Sequence, residues 1–198
     1  TELGKLRRSH YSNELNASMD GTQVTVMGWV LTVRGHGNIS FATVRDKNGD
    51  LSIVAKKGDC PDEIREKISS LKAHSSIGVI GTIKASEKAP SGFEIIPNEL
   101  RVFSEVTTIP PFEPTAKTVK NIDTRLEVRP IDLRRDILQH VFKTRSLVLK
   151  TIRDYFIDQN FVEINTPKMI ATATEGGAAL FPIFYYNKEA FLAQSPQL

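Results

Sequence analysis

The sequence is poor in the residues that mark secreted, metal-binding or membrane-spanning proteins. It holds a single cysteine, Cys60, in 198 residues. One cysteine allows no internal disulfide and fits a reducing compartment. Its four histidines, His10, His36, His74 and His140, show no ligand spacing, and a lone Cys60 beside Pro61 reads as structural, so no metal site or thiol nucleophile is expected. No apolar run approaches the roughly 20 residues that cross a bilayer. The first residues, Thr1–Lys5, lack Met and read as a processed start, and no hydrophobic segment follows that would make a signal peptide. There is no Walker loop, and Gly35-His36-Gly37 is too short for a dinucleotide fingerprint. Charge is nearly balanced, with 26 Lys and Arg against 23 Asp and Glu, a net of +3 and no basic block. Charge alone therefore neither argues for nucleic acid nor excludes it. No internal repeat or low-complexity segment is present.

What remains is an ordinary globular composition, 40% apolar and 25% charged, long enough for one or two domains. Residues 1–20 carry Lys5-Leu6-Arg7-Arg8 and then polar residues, and read as a solvated leading segment. From Val24 the pattern has period two. Val24–Val33 is β-branched and alternating, with Gly28 inside it as the mark of a bulge or sharp coil. Arg34–Asn38 reads as a turn, Ile39–Val44 as a second strand, Asn48-Gly49 as a hairpin signal, and Leu51–Ala55 as a third strand. Pro61 opens a short helix with Ile64, Ile68 and Leu71 at helical spacing. Ile77–Ser86 and Phe93–Phe103 are two more strands, joined by the turn residues Lys88–Gly92. Three strands, a helix and two strands is the order of a five-stranded OB barrel, expected over residues 1–106. Glycines inside the first and fourth strands suit the bending that a small barrel needs.

Residues 107–136 differ. Thr107–Pro114 is proline-rich and suits neither helix nor central strand. Asn121–Asp136 alternates charge, and the whole stretch reads as a linker and hinge with a solvated surface. Asp136 is a candidate N-cap for a long helix, Ile137–Gln159. Ile137, Val141, Val148, Ile152 and Tyr155 line one face, and Leu138, Phe142, Leu149 and Phe156 a neighbouring one, so burial on more than one side is expected. Asn160 ends the helix. Phe161–Asn165 reads as a short edge strand closed by Thr166-Pro167, and helix and strand together suggest a subunit interface. Ala173–Leu198 then offers a Gly-rich loop, Thr174–Gly177, and two apolar runs, Ala178–Tyr186 and Ala190–Ala193, around Asn187–Glu189. Gln194-Ser195-Pro196-Gln197 follows at a strand end.

Two stretches could carry chemistry. On an OB barrel, the face of strands two and three takes nucleic acid by stacking on aromatics. Phe41 lies in strand two with Arg34 at the end of strand one, and Phe41 is open to a core or a surface reading. Trp29, sharing a face with Met27 and Leu31, is expected in the core. Glu94, just past the turn at Gly92, could accept a hydrogen bond from a base amino group. In the last stretch, Glu175 in its Gly-rich loop could pair with a ligand ammonium through a charge-assisted bond, and the amides of Gln194 and Gln197 could serve a small polar ligand. A solvated turn remains the alternative.

The residues ATATEGGAALFPIFYYNKEAFLAQSPQL, the hinge IDTRLEVRPIDLRR and FVEINTPKMIATATEGG resemble the aspartyl-tRNA synthetases of the archaeal and eukaryotic type, which are class II aminoacyl-tRNA synthetases. The resemblance runs over essentially the whole chain, and Pro196 favours the aspartyl over the asparaginyl enzymes. It implies an OB-fold anticodon-binding domain over 1–106, a hinge over 107–136, and over 137–198 the start of an α+β catalytic domain built on an antiparallel sheet. By resemblance, Phe41 matches the aromatic that stacks on the central anticodon base, Arg34 the arginine at the third base and Glu94 the acid near the first. Ser52 stands where the family commonly has Gln, which leaves charging of both tRNA(Asp) and tRNA(Asn) open. Glu175 matches the loop glutamate that closes over the aspartate ammonium, Ser195 and Gln197 match amino-acid pocket positions, and Pro167 matches the motif-one proline of a homodimer. The implied enzyme is cytoplasmic and joins aspartate to tRNA through aspartyl-adenylate, using ATP and Mg2+. The arginines of motifs two and three that clamp the phosphates, and the magnesium sites, are expected beyond Leu198. The 198-residue chain alone is therefore expected to bind tRNA without aminoacylating it, and a pyrophosphate-exchange assay on it should show no turnover.

Overall fold

The structure, a computed structural model, describes residues 4–116, 118, 120–171 and 180–193. The chain divides into two compact units, Thr1–Ile109 and Pro110–Leu198.

In the first unit, β1 (Gln23–His36), β2 (Ile39–Arg45), β3 (Asp50–Lys56), β4 (Ser76–Ala85) and β5 (Phe93–Ser104) close a barrel in the order β1-β2-β3-β5-β4. Helix α1 (Asp62–Ser70) follows β3 and turns Ile64 and Ile68 into the core. Strand β1 serves two neighbours. Gln23–Trp29 pair with β4, and Trp29–His36 pair with β2. A strand shared in this way has to coil, and Gly28 sits where the partners change. A Cβ built there would lie 2.4 Å from the Arg45 carbonyl oxygen. Of the bulge or sharp coil expected at Gly28, the coil is what the site shows; the register shift between β1 and β2 falls at Val30–Thr32. Alternate residues then fill the interior. Val24, Val26, Val30, Val44, Leu51, Ile53, Ile77, Val79, Ile83 and Ile95 are all at most 1% exposed, and burying each such side chain contributes roughly 1.5–3 kcal/mol.

Three expectations fail here. Trp29 is 37% exposed and stands outside the core, because the inward positions of β1 are the even-numbered ones up to Val30; past the register shift the parity reverses, and Val33 packs against the core while Thr32 and Arg34 are exposed. The turn expected over Arg34–Asn38 is shorter. β1 continues to His36 and only Gly37-Asn38 turn, with Gly37 at φ +57°. Residues 1–20 are not a solvated lead. Leu6 and Leu15 are buried, and the Ser9 N–H donates to the Thr25 carbonyl at 2.9 Å.

The second unit begins with α2 (Ile122–Glu127) and α3 (Arg129–Asp132) where a solvated linker is expected. The charges of this stretch are organised around one fully buried carboxylate, Asp132. Arg125 Nε donates to its Oδ1 at 2.9 Å, Arg129 to Oδ2 at 2.5 Å, and Arg135 stands 3.8 Å from Oδ1. Burial pushes the Asp132 carboxyl upward. The hydrogen bond and charge of Arg125, then the charge and hydrogen bond of Arg129, outweigh it and hold the group below the ordinary carboxylate range.

Helix α4 (Asp136–Asp158) follows. Asp136 lies inside its first turn, and Arg135 holds the cap position without a side-chain cap bond. The helix ends at Asn160, which is left-handed at φ +64°. Its two apolar faces are present, but no α4 residue is buried; the expected cover is not supplied by the described residues. Phe161–Asn165 form no strand. Extended backbone needs a partner, and none is offered there. Phe161 instead folds back, its N–H donating to the Phe156 carbonyl at 3.0 Å and its ring meeting Phe156 edge-on at 5.3 Å. A small antiparallel sheet of β6 (Met169–Ile170), β7 (Pro182–Tyr185) and β8 (Lys188–Leu192) completes the unit in the order β6-β8-β7. Its hairpin turns at Tyr186-Asn187, with Tyr186 at φ +54°. Lys188 and Glu189 belong to β8 rather than to the turn.

Candidate nucleic-acid interface

The outer face of β1, β2 and β3 gathers the barrel's predicted site residues. In β2, Ser40, Ala42 and Val44 point inward and are buried, so Phe41, Thr43 and Arg45 point out. The register sets three rows across the sheet. Arg34 pairs with Phe41, and Phe41 with Val54. Thr32 pairs with Thr43, and Thr43 with Ser52; the Thr32 hydroxyl donates to that of Thr43 at 3.2 Å. Trp29 pairs with Arg45, and Arg45 with Asp50.

Phe41 is 39% exposed, which resolves its two readings in favour of the surface. Exposure of a large aromatic among polar neighbours on an OB face is the arrangement that stacks a base, a contact worth roughly 1–3 kcal/mol. Arg34 lies beside it in mid-strand rather than at a strand end and makes no ion pair with the described residues. Arg45, by contrast, is committed to Asp50 by a two-pronged contact, Nε to Oδ1 at 2.6 Å and the second nitrogen to Oδ2 at 2.9 Å. Ser52 is half-buried one row from Phe41. Strands β3 and β5 run parallel with Ile53 opposite Ile95, both buried. Glu94 precedes Ile95 as Ser52 precedes Ile53, so both lie on the outer side. Arg34, Phe41, Ser52 and Glu94 therefore all lie on the outer side of the barrel, on β1, β2, β3 and β5.

Sequence reasoning missed the residues at the end of this face. The β2–β3 turn, Asp46–Gly49, is organised by Asp46, whose side chain is only 1% exposed. Its carboxylate accepts from the Asn48 N–H at 2.7 Å and the Gly49 N–H at 3.1 Å. It also accepts from the N–H and the hydroxyl of Ser12, both at 2.7 Å. Burial raises the Asp46 pKa; the Ser12 hydroxyl bond and the backbone bonds from Asn48, Ser12 and Gly49 outweigh it and leave the group below the ordinary range. Asp-x-Asn-Gly is a readable signal for an aspartate capping its own turn. Nothing in the sequence marks Ser12, 34 residues away, as its partner.

Glu175, Ser195 and Gln197 lie outside the described residues, as do Gln194 and Pro196. Pro167 is exposed in the irregular segment before β6.

Comparison with known proteins agrees with both units. Residues 24–103 match the model for OB-fold nucleic acid binding domains, and residues 121–198 the model for class II tRNA synthetases (D, K and N). Over 196 residues, 99% of the chain, it is 46% identical to an aspartate–tRNA(Asp/Asn) ligase of Methanococcus aeolicus. Over 194 residues it is 47% identical to one of Methanocaldococcus jannaschii. The chain spans 45% and 44% of those proteins, about half their length. Among solved structures, asparaginyl-tRNA synthetase of Pyrococcus horikoshii complexed with asparaginyl-adenylate superposes with a TM-score of 0.86 at 30% identity, over 97% of this chain and 44% of that one. A putative aspartyl-tRNA synthetase of Leishmania major gives 0.83 at 28% identity, over 96% and 39%. By these matches, the second segment is similar to the class II tRNA synthetases of the D, K and N group, and an OB-fold nucleic acid binding segment precedes it.

Proposed function

We propose that the chain is the N-terminal part of a cytoplasmic, homodimeric aspartate–tRNA ligase whose barrel reads the anticodon. The observation that carries this is Phe41, exposed beside Arg34 on the outer face of a closed OB barrel, in a chain 46% identical over 99% of its length to aspartate–tRNA(Asp/Asn) ligases. Phe41 stacks on the central anticodon base. Arg34 contacts the third base, and Glu94 accepts from the first, with Ser52 beside the central one. In the synthetase domain, Glu175 pairs with the ammonium of aspartate, and Ser195 and Gln197 line the same pocket. Pro167 and the exposed apolar faces of α4 belong to the dimer interface.

The reaction is attack of the aspartate carboxylate on the α-phosphate of ATP, releasing pyrophosphate, and then transfer of the aspartyl group to the terminal ribose hydroxyl of tRNA. Developing phosphate charge has to be met by cations. By the family resemblance, those cations are the arginines of motifs two and three and, with the Mg2+ on the phosphates, are assigned outside this chain. No described helix is long and apolar enough to cross a membrane.

A second reading, charging of both tRNA(Asp) and tRNA(Asn), is favoured by Ser52 in place of the family's usual Gln and by the similarity to aspartate–tRNA(Asp/Asn) ligases. The test is the affinity of the 198-residue chain for anticodon stem-loops ending in C or in U. Phe41→Ala is expected to weaken the C-ending loop by about 1–3 kcal/mol, roughly 5- to 150-fold, while Phe41→Trp retains it. Wild-type affinity in Phe41→Ala would remove the stacking role. Equal wild-type affinity for the two loops supports the dual enzyme; a preference of about tenfold for C, or ~1.4 kcal/mol, refutes it.

A further inference from the structure

We infer that the N-terminal strap, Leu6–Leu15, is a positioning element of the anticodon-reading face, with Ser12 and Asp46 as the positioning residues that hold the β2–β3 hairpin in place. The inference rests on the anticodon reading above. β2 carries Phe41 and β3 carries Ser52, so the attitude of this hairpin decides where a stacked base and its neighbouring edge contact come to lie.

The sheet holds the hairpin unevenly. β2 pairs with β1 from Arg45 to Ile39, with one register shift at Val30–Thr32. β3 meets β5 at one register pair, Ile53 with Ile95. The turn end, Asp46–Gly49, is fastened by the strap instead. Asp46 accepts two bonds from Ser12 and two from its own turn, so one carboxylate ties strap and turn together. Asn48 Nδ2 donates to Asn13 Oδ1 at 2.6 Å. The Tyr11 ring takes a cation from each side of the junction, Arg8 of the strap at 4.3 Å and Lys47 of the turn at 4.1 Å.

The strap is in turn fixed to β1. Ser9 exchanges bonds with Thr25, its N–H donating to the Thr25 carbonyl at 2.9 Å and its hydroxyl accepting from the Thr25 N–H at 2.8 Å. Arg8 donates to the Met27 carbonyl at 2.8 Å. Leu15 anchors the far end in the core. The strap thus braces the free end of the hairpin against the strand that carries Arg34. Bonds to a charged, desolvated acceptor are directional and strong, so the brace fixes an orientation as well as adding stability.

The two roles separate by experiment. Ser12→Ala deletes the hydroxyl bond and leaves the backbone N–H bond. Ser12→Thr keeps a hydroxyl. Both are compared with the wild-type chain at a temperature where circular dichroism shows all three fully folded. The probes are the C-ending anticodon stem-loop and the same loop with an abasic site at the central anticodon base. Ser12→Ala is expected to bind the intact loop about tenfold more weakly and the abasic loop as the wild type does; Ser12→Thr recovers the difference. Wild-type binding of the intact loop by Ser12→Ala overturns the inference even if its melting temperature falls, because that is a structural role alone. Equal weakening on both loops overturns it as well. Failure of the wild-type chain to bind the intact loop overturns the anticodon reading, and this inference with it.

Discussion

Asp132→Ala is expected to melt the segment from α2 to the start of α4 while leaving the barrel intact. Asp132 is 0% exposed and is the acceptor for two arginines, with a third 3.8 Å away. Arg125 and Arg135 keep only 17% and 13% side-chain exposure around it. Removing the acid leaves several guanidinium groups partly buried with their main acceptor gone. Breaking a buried pair from one side costs about 3–5 kcal/mol. That is large against the total stability of a small unit, so the loss should be visible as unfolding rather than as a shifted midpoint. Hydrogen exchange reads it locally. The N–H groups of Ile131, Leu133, Arg134 and Arg135 are bonded inside this turn and should lose protection, while the N–H groups of β1 and β4 keep theirs. Trp29, the only tryptophan, stands in the barrel, and its fluorescence should be unaffected. Unchanged exchange at these four amides would refute the role given to Asp132.

Acid should reproduce the effect. The folded pKa of Asp132 is depressed below that of the unfolded chain. The folded state therefore binds fewer protons between the two values, and the stability this group contributes is full above the unfolded carboxylate pKa. It is lost as pH falls through the folded value. The barrel has its own acid-sensitive carboxylate of the same sign in Asp46.

The barrel was readable because alternation and turn residues agree over residues 24–103, and two aromatics, Trp29 misread and Phe41 left open, show where that agreement needed closer use. Val24, Val26 and Val30 set the inward parity of this part of β1, which places Trp29 outside; the apolar Met27 and Leu31 on its side had argued for the core, and parity decides. In β2 the inward residues include Ser40 and Ala42, small enough that Phe41 looks like the natural core residue until the register is known. The hinge was less readable. Asp123, Asp132 and Asp136 are chemically alike, and only the spacing of Arg125, Arg129 and Arg135 at minus seven, minus three and plus three from Asp132 singles one out. The apolar faces of α4 were plain in the sequence, while the described residues do not supply what covers them. The strap was invisible because its bonds join residues 16 and 34 apart, and pairing at that distance leaves no periodic trace. Glu175 and Gln197 were legible as candidates for a small polar ligand, while Ser195 and the identity of that ligand were reached only through family resemblance, since an acid ahead of two glycines and polar residues at a strand end carry no unique chemistry by themselves.

Gly28→Val should cost the barrel its closure. The Cβ alone would stand 2.4 Å from the Arg45 carbonyl oxygen, 2.9 Å from the Arg45 carbonyl carbon and 2.8 Å from Val44 Cγ1. Two of those atoms are backbone, so the clash cannot be relieved by a side-chain rotation. β1 would have to move away from β2 at the point where it passes from one neighbour to the other. Overpacking of a tight interior typically costs about 1–3 kcal/mol, and a contact against backbone at the strand crossing should reach or exceed the top of that range. Gly28→Ala already carries the clash, and the two further methyls of valine add to it. Gly35 lies in the same strand and provides the control. No atom stands within 4 Å of a Cβ at that site, so Gly35→Ala should leave the midpoint of a urea titration, followed by Trp29 fluorescence, within about 0.5 kcal/mol of the wild type. The same contrast should appear in binding. Gly28→Val is expected to lose the intact and the abasic stem-loop alike, because the whole face is displaced, whereas a lesion in the Ser12 brace spares the abasic loop. A Gly28→Ala chain with the wild-type urea midpoint would show that β1 reaches β2 without the close approach at Arg45, and the coiling of the strand would then need another cause.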